Sequence, residues 1–141
     1  MAHVAIDIAE AVKDEINDHT FSVAITAARA FVPKFDLKDM STLHVTVVPK
    51  ALDVTTATRT SATNDVAVDV AVQKIVDPDD IAAGDVLMSI VQEIADFFVR
   101  RKLTDPVALW IRTEQVLYSP EDMNEKRLFT NVLTFTFRTV R

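Results

Sequence analysis

The chain has 141 residues, with 15 basic and 21 acidic side chains and a formal net charge of −6. This excess of acid argues against a general nucleic-acid-binding protein, which needs clustered lysine and arginine to displace counterions. The single glycine and the lack of cysteine argue against glycine-rich phosphate loops and cysteine-ligated zinc sites. The length predicts one domain over residues 1–141, large enough to fold on its own apolar core.

The first element is predicted to be an amphipathic helix over residues 2–18. Its apolar residues recur at four-residue spacing: Val4, Ile8, Val12 and Ile16. This spacing places them on one face of a helix, which we expect to pack against a sheet.

An alanine-rich first strand is predicted over residues 21–31. Pro33 ends it, because proline has no backbone donor and a fixed φ. Phe35 and Leu37 follow among charged residues in a connecting segment. They either plug the edge of the sheet or anchor a neighbouring subunit.

The middle of the chain predicts two strands, over residues 43–48 and 64–76. The second strand alternates strictly, with Val66, Val68, Val70 and Val72 on one face and Asp65, Asp69 and Gln73 on the other. Such alternation is typical of a half-buried strand. Pro49, directly after the first strand, predicts an edge or bulge position.

The connector between these strands, residues 54–63, is rich in threonine and contains no glycine. It is far longer than a tight hairpin turn. We therefore expect an arm, over about residues 52–64, that projects from the core as a ribbon or long hairpin. Arg59 lies in the middle of the arm, where no core can use it, and its guanidinium suits a carboxylate across an interface.

A second helix is predicted over residues 77–102, opened by carboxylates that can cap free amides. Its apolar stripe is Leu87, Ile90, Val91, Ile94, Phe97 and Phe98. Positive charge at Arg100, Arg101 and Lys102 favours the carbonyl end of a helix. These three residues form either a solvated helix end or an anion-binding contact.

Two more strands are predicted near the carboxyl terminus, over residues 107–118 and 127–140, with a short helical turn after Ser119. In the last strand Leu133, Phe135 and Phe137 lie on one face. The whole pattern predicts an α+β fold. We expect a mostly antiparallel sheet of about five strands, with two main helices on one face and the projecting arm.

No catalytic, cofactor-binding or metal-binding residues are predicted. The three histidines are scattered, at His3, His19 and His44, without the spacing of a zinc helix. The acidic run at residues 77–80 lacks the alternating ligands and the glycine of a calcium loop, so we interpret it as helix capping. The chain is therefore expected not to be an enzyme. Its candidate interface residues are Phe35, Leu37, Val54, Thr56, Thr58, Arg59, Arg100 and Arg101.

Five segments, taken in order, resemble a known family: residues 31–40, 43–50, 70–76, 94–98 and 129–138. The chain is similar in these segments to tail terminator, or tail completion, proteins of long-tailed bacteriophages and prophages. This resemblance implies an architectural protein made in the cytoplasm of the bacterial host. Its copies would form a ring, commonly of six, at the head-proximal end of the tail tube in the virion.

The implied partners are further copies of the chain, the tail tube protein and a head-side connector or neck protein. The ring would stop tube polymerisation and offer a docking surface for the head. DNA would pass through its lumen without specific binding, and neither a cofactor nor a membrane is implied.

Three interpretations remain open from the sequence. The chain is either a tail terminator, or a head-side connector or other neck component, or a small α+β enzyme or ligand-binding module. The last alternative predicts a concave pocket with several convergent polar groups.

Overall fold

The computed structural model describes residues 3–31, 42–77, 79–116 and 128–141. Its helices are α1 (Val4–Asp18) and α2 (Ile81–Phe98). The strands are β1 (Ala27–Arg29), β2 (His44–Thr56), β3 (Ala62–Ile75), β4 (Lys102–Thr104), β5 (Val107–Val116) and β6 (Leu128–Val140). The fold is α+β, as expected.

The six strands of the described residues form one mixed sheet in the order β1-β2-β3-β6-β5-β4, which is one strand more than the expected number of about five and is mostly antiparallel, as predicted. β1 pairs with β2 in parallel over three residues only, whereas every other pairing is antiparallel. β1 is shorter than the predicted first strand, and Asn17 of α1 binds the backbone at its first residue. The Asn17 side chain donates to the Ala27 carbonyl at 3.1 Å and accepts from the Ala27 N–H at 2.7 Å.

The extra strand, β4, comes from residues that were predicted to extend the second helix. Arg100 adopts a φ of 61°, in the left-handed region where helices commonly end. The chain therefore leaves α2 after Phe98, and Lys102 begins the strand that pairs with β5. α2 also begins later than predicted, because Asp80 rather than Asp77 caps it, accepting from the Ala83 N–H at 3.1 Å.

The core lies between the two helices and one face of the sheet, and the predicted apolar stripes of both helices are confirmed. Phe98 of α2 is fully buried against Phe135 and Phe137 of β6, with ring centroids 4.7 and 6.1 Å apart. The buried residues at the centre are Val4, Ile8, Val12, Ile16, Val47, Val66, Val68, Val70, Val72, Leu87, Ile90, Val91, Ile94, Phe98, Leu133, Phe135 and Phe137.

The arm is the far end of the β2–β3 hairpin, whose strands extend further and whose loop is shorter than the predicted connector over residues 54–63. β2 and β3 stay paired as far as Thr56 and Ala62, so the loop between them is only residues 57–61. Valine and threonine favour the extended backbone, and β6 supports β3 as far as the pair Thr63 and Val140. The expected irregularity at Pro49 is confirmed, since the β2–β3 register shifts between Pro49 and Ala51.

Some predictions lie outside the described residues. Phe35, Leu37 and the helical turn after Ser119 belong to this group. The predicted strand over residues 107–118 corresponds to β5, and the predicted last strand corresponds to β6.

Candidate assembly interface

The tip of the arm carries an open groove of about 490 Å³. It brings together four of the predicted interface residues, two at the end of β2 and two in the hairpin loop. The groove is lined by Val54, Thr55, Thr56, Thr58, Arg59, Thr60, Ser61, Ala62 and Arg141. It thus combines a threonine-rich wall with two arginines and no acidic side chain.

Local hydrogen bonds hold the loop at the tip in one shape. The N–H groups of Ala57 and Thr58 both donate to the Ser61 carbonyl, at 3.2 and 3.1 Å. The hydroxyls of Thr58 and Ser61 lie 2.7 Å apart. Arg59 lies at the apex of this loop, exposed, with no ion pair to another described residue. Its guanidinium is therefore available to an outside partner.

Arg141 is a feature of the arm that sequence reasoning missed. Its backbone pairs with Ala62 in both directions, at 3.0 and 2.7 Å, which continues the β3–β6 ladder by one residue. Extending the alternation of the last strand to the end of the chain would have placed Arg141 beside the arm.

Arg100 and Arg101 lie at the end of α2. Arg101 donates twice to one Glu15 carboxylate oxygen, at 2.8 and 2.6 Å, and its guanidinium lies 4.0 Å from the centre of the Phe97 ring. This contact ties α2 to α1. Arg100 is exposed next to it. The two predicted interface arginines thus differ, since Arg101 binds Glu15 within the chain and Arg100 is exposed at the surface.

The outer face of the sheet, opposite the helices, is held by polar side-chain pairs. Arg138 donates to both carboxylate oxygens of Asp65, at 2.8 and 3.0 Å. Thr134 donates to Asp69 at 2.6 Å, and Lys50 lies 3.9 Å from the same carboxylate. Each pair joins neighbouring strands, so these side chains cross-link the strands on this face.

Two carboxyls that form ion pairs have lowered pKa values, one on the outer face of the sheet (Asp65) and one on α1 (Glu10). The hydrogen bond from Arg138 holds the pKa of Asp65 below its ordinary value. The hydrogen bond from Lys13, followed by that from Arg29, lowers the pKa of Glu10. Both groups are therefore more acidic in the folded chain than in the unfolded chain, and they stabilise the fold in their charged form.

The fold should therefore lose stability in acid. A lowered folded pKa contributes stability above the unfolded value near 4, and that contribution is lost as the pH falls through the folded value. We expect the free energy of unfolding, measured in urea, to fall between about pH 5 and pH 2. The double variant E10Q/D65N should show a shallower decline, and an equally steep decline would contradict this assignment.

A second exposed surface, which sequence reasoning also missed, lies on the outside of α2. Ile81 and Val86 are 74% and 56% exposed, and the exposed Asp85 lies between them on the helix. Both apolar residues lie outside the buried stripe of the helix. This position is the sequence feature by which they could have been recognised. We call this surface, defined by Ile81, Asp85 and Val86, the α2 outer patch.

The histidines have local structural roles. The His3 side chain accepts from the Ala5 N–H at 3.1 Å and caps α1. The His19 ring packs between Phe21 and Phe97, with centroids 4.5 and 4.3 Å away. His44 lies 3.3 Å from the Thr42 hydroxyl. In the described ranges no three histidine, aspartate or glutamate side chains are grouped to hold a metal ion.

Neither described helix has both the length and the apolar character required to cross a membrane. No family model matches the sequence, and no curated protein sequence matches it.

A solved structure with a similar fold is described as "Virion of native gene transfer agent (GTA) particle". Its matching chain superposes with a TM-score of 0.60 at 14% sequence identity, and the alignment covers 100% of both chains. At this identity the similarity shows that the two chains share a fold from end to end.

Proposed function

We propose that this chain is a structural protein of a phage-like virion, and more specifically the tail terminator at the head-proximal end of the tail. The observation that carries the proposal is the full-length fold similarity to a chain of the gene transfer agent virion. The sequence resemblance to tail terminators supports the same position.

The surfaces of the chain are compatible with a ring. A closed ring needs a heterologous contact, in which one patch meets a different patch on the next copy. The arm supplies one patch, since its residues 50–60 are all exposed. Among the described residues, a strand pairs with the outer edge of β2 only at residues 45–47, and we propose that the edge along the arm receives the neighbouring copy.

The same edge is protected against indiscriminate pairing. Pro49 has no donor, the register shift follows directly after it, and Lys50 is charged. Proline, bulges and lysine are the usual means by which an exposed edge avoids aggregation. The edge is thus suited to a specific contact.

In the proposed ring, six copies cap the tail tube, with the tube protein on one side and a head-side connector on the other. The net charge of −6 weakens any attachment to DNA passing through the lumen. The chain makes or breaks no bond in this role. The groove described above is open and lies at the arm tip, which favours a surface role over a small enzyme.

Deletion of the gene from the genome that encodes it tests the proposal. We expect electron micrographs of induced lysates to show headless tails of irregular, excessive length, and a plasmid copy of the gene should restore joined particles. Complete tails of normal length beside filled, unjoined heads would instead indicate a neck component. Normal particles from the deletion strain would refute a role in the virion.

A further inference from the structure

The α2 outer patch has the composition of a docking surface for a basic partner. Two large apolar side chains are more than half exposed there, with a carboxylate between them. Residues 77–92 contain four carboxylates and no basic side chain. A monomer normally buries such apolar residues or scatters them singly.

The tip of the arm carries basic side chains and has a similar apolar component, whereas the exposed Asp53 lies further towards its base. Arg59 and Arg141 are its basic side chains in the tip groove. Val54 is 53% exposed beside them. The tip of the arm and the α2 outer patch are therefore complementary in charge, and each offers apolar side chains to the other.

The two surfaces lie at opposite ends of the sheet, so they do not meet within one copy. The start of α2 lies towards the start of β6, where the Asn131 amide is 3.6 Å from the Met88 sulphur. The end of α2 lies over Phe135 and Phe137, and Phe137 pairs with Val66 at the base of the arm. Six residues of extended strand separate Asn131 from Phe137, which is about 20 Å.

We propose that the arm of one copy docks on the α2 outer patch of the next copy. This inference rests on the proposed function, in which copies pack side by side, and it names the two faces that meet. Arg59 pairs with the carboxylates around the start of α2, and Val54 packs against Ile81 and Val86. Because donor and acceptor surfaces differ and lie at opposite ends, the contact is head-to-tail and can be repeated around a ring.

Engineered disulfides test the contact directly, because the chain has no cysteine of its own. One protein carries T58C in the arm, and a second carries D85C in the α2 outer patch. Mixed under mild oxidation, the two should form a covalent heterodimer. A matched control uses D96C, an exposed position further along the same helix, and should give at most a tenth of that product.

A charge exchange tests the chemistry of the contact. R59E and D85R should each weaken self-association about tenfold, as expected for the loss of one charged pair at a partly desolvated site. Combining R59E in one copy with D85R in the other should restore it. Sedimentation of the purified proteins measures the association, and added salt should weaken the wild-type contact.

The outcomes separate this inference from the proposed function. If T58C and D85C give no heterodimer above the D96C control, or if the charge exchange restores nothing, the docking model is overturned even when the deletion strain makes overlong tails. If the heterodimer forms while the deletion strain makes normal particles, the self-contact holds and the tail role fails.

Discussion

Replacement of Phe98 by alanine should destabilise the fold by about 3–5 kcal/mol. Phe98 is fully buried and touches the rings of Phe97, Phe135 and Phe137. It therefore joins the end of α2 to the two β6 phenylalanines beneath it. Removing the ring leaves a cavity that a closely packed core can refill only in part, so the lost dispersion contacts add to the lost transfer free energy.

Phe97 provides the matched control for this substitution. It is the same residue type in the same helical turn, but it lies at the margin of the core, against His19 and Arg101. F97A should cost clearly less than F98A when both are measured by urea unfolding with a common slope. Equal losses in the two variants would contradict the placement of the core at the α2–β6 contact.

Shortening of the arm should abolish assembly while leaving the domain folded. Val54 and Asn64 are paired across the hairpin, so residues 55–63 can be replaced by Asn-Gly, which closes a two-residue turn between paired strands. The helices and the buried face of the sheet are untouched by this change. A phage genome that carries the shortened gene should yield the same headless, overlong tails as the complete deletion.

Two measurements make this result interpretable. Circular dichroism and thermal unfolding of the purified shortened protein should show a cooperative fold, since exposed loop tips tolerate such changes. R112E, a charge reversal at an exposed β5 residue outside the arm, should leave particle assembly intact. If the shortened protein folds and the particles are normal, the arm is not part of the assembly contact.

The sequence by itself determined the helices and the apolar faces of the central strands. Helical spacing of Val4, Ile8, Val12 and Ile16 depends on a few neighbouring residues, and all four are buried in the structure. The same holds for Leu133, Phe135 and Phe137 on β6. Local periodicity is sufficient for these elements because one face of each must be buried against the rest of the chain.

The lengths and directions of the pairings were decided only by tertiary structure. Residues 51–56 are all exposed, so no burial pattern marks them as strand, and their partner lies on the other side of a loop. β4 exists because Arg100 ends α2 and β5 is there to pair with it. The strand lengths and the presence of β4 depend on backbone hydrogen bonds between segments that are distant in the sequence. The pattern of side chains along one segment does not predict such bonds.

The candidate interface divides in the same way. Arg59 and its threonine neighbours could be recognised in the sequence, because a charged residue between two alternating strands has no place in a core. The α2 outer patch could be recognised only in the folded structure, since an apolar residue in a helix is expected to be buried and only the fold shows that Ile81 and Val86 are exposed. The distance between this patch and the arm depends on how α2 is oriented over β6. That orientation is set by the long-range contacts of Phe98 and Met88 with β6.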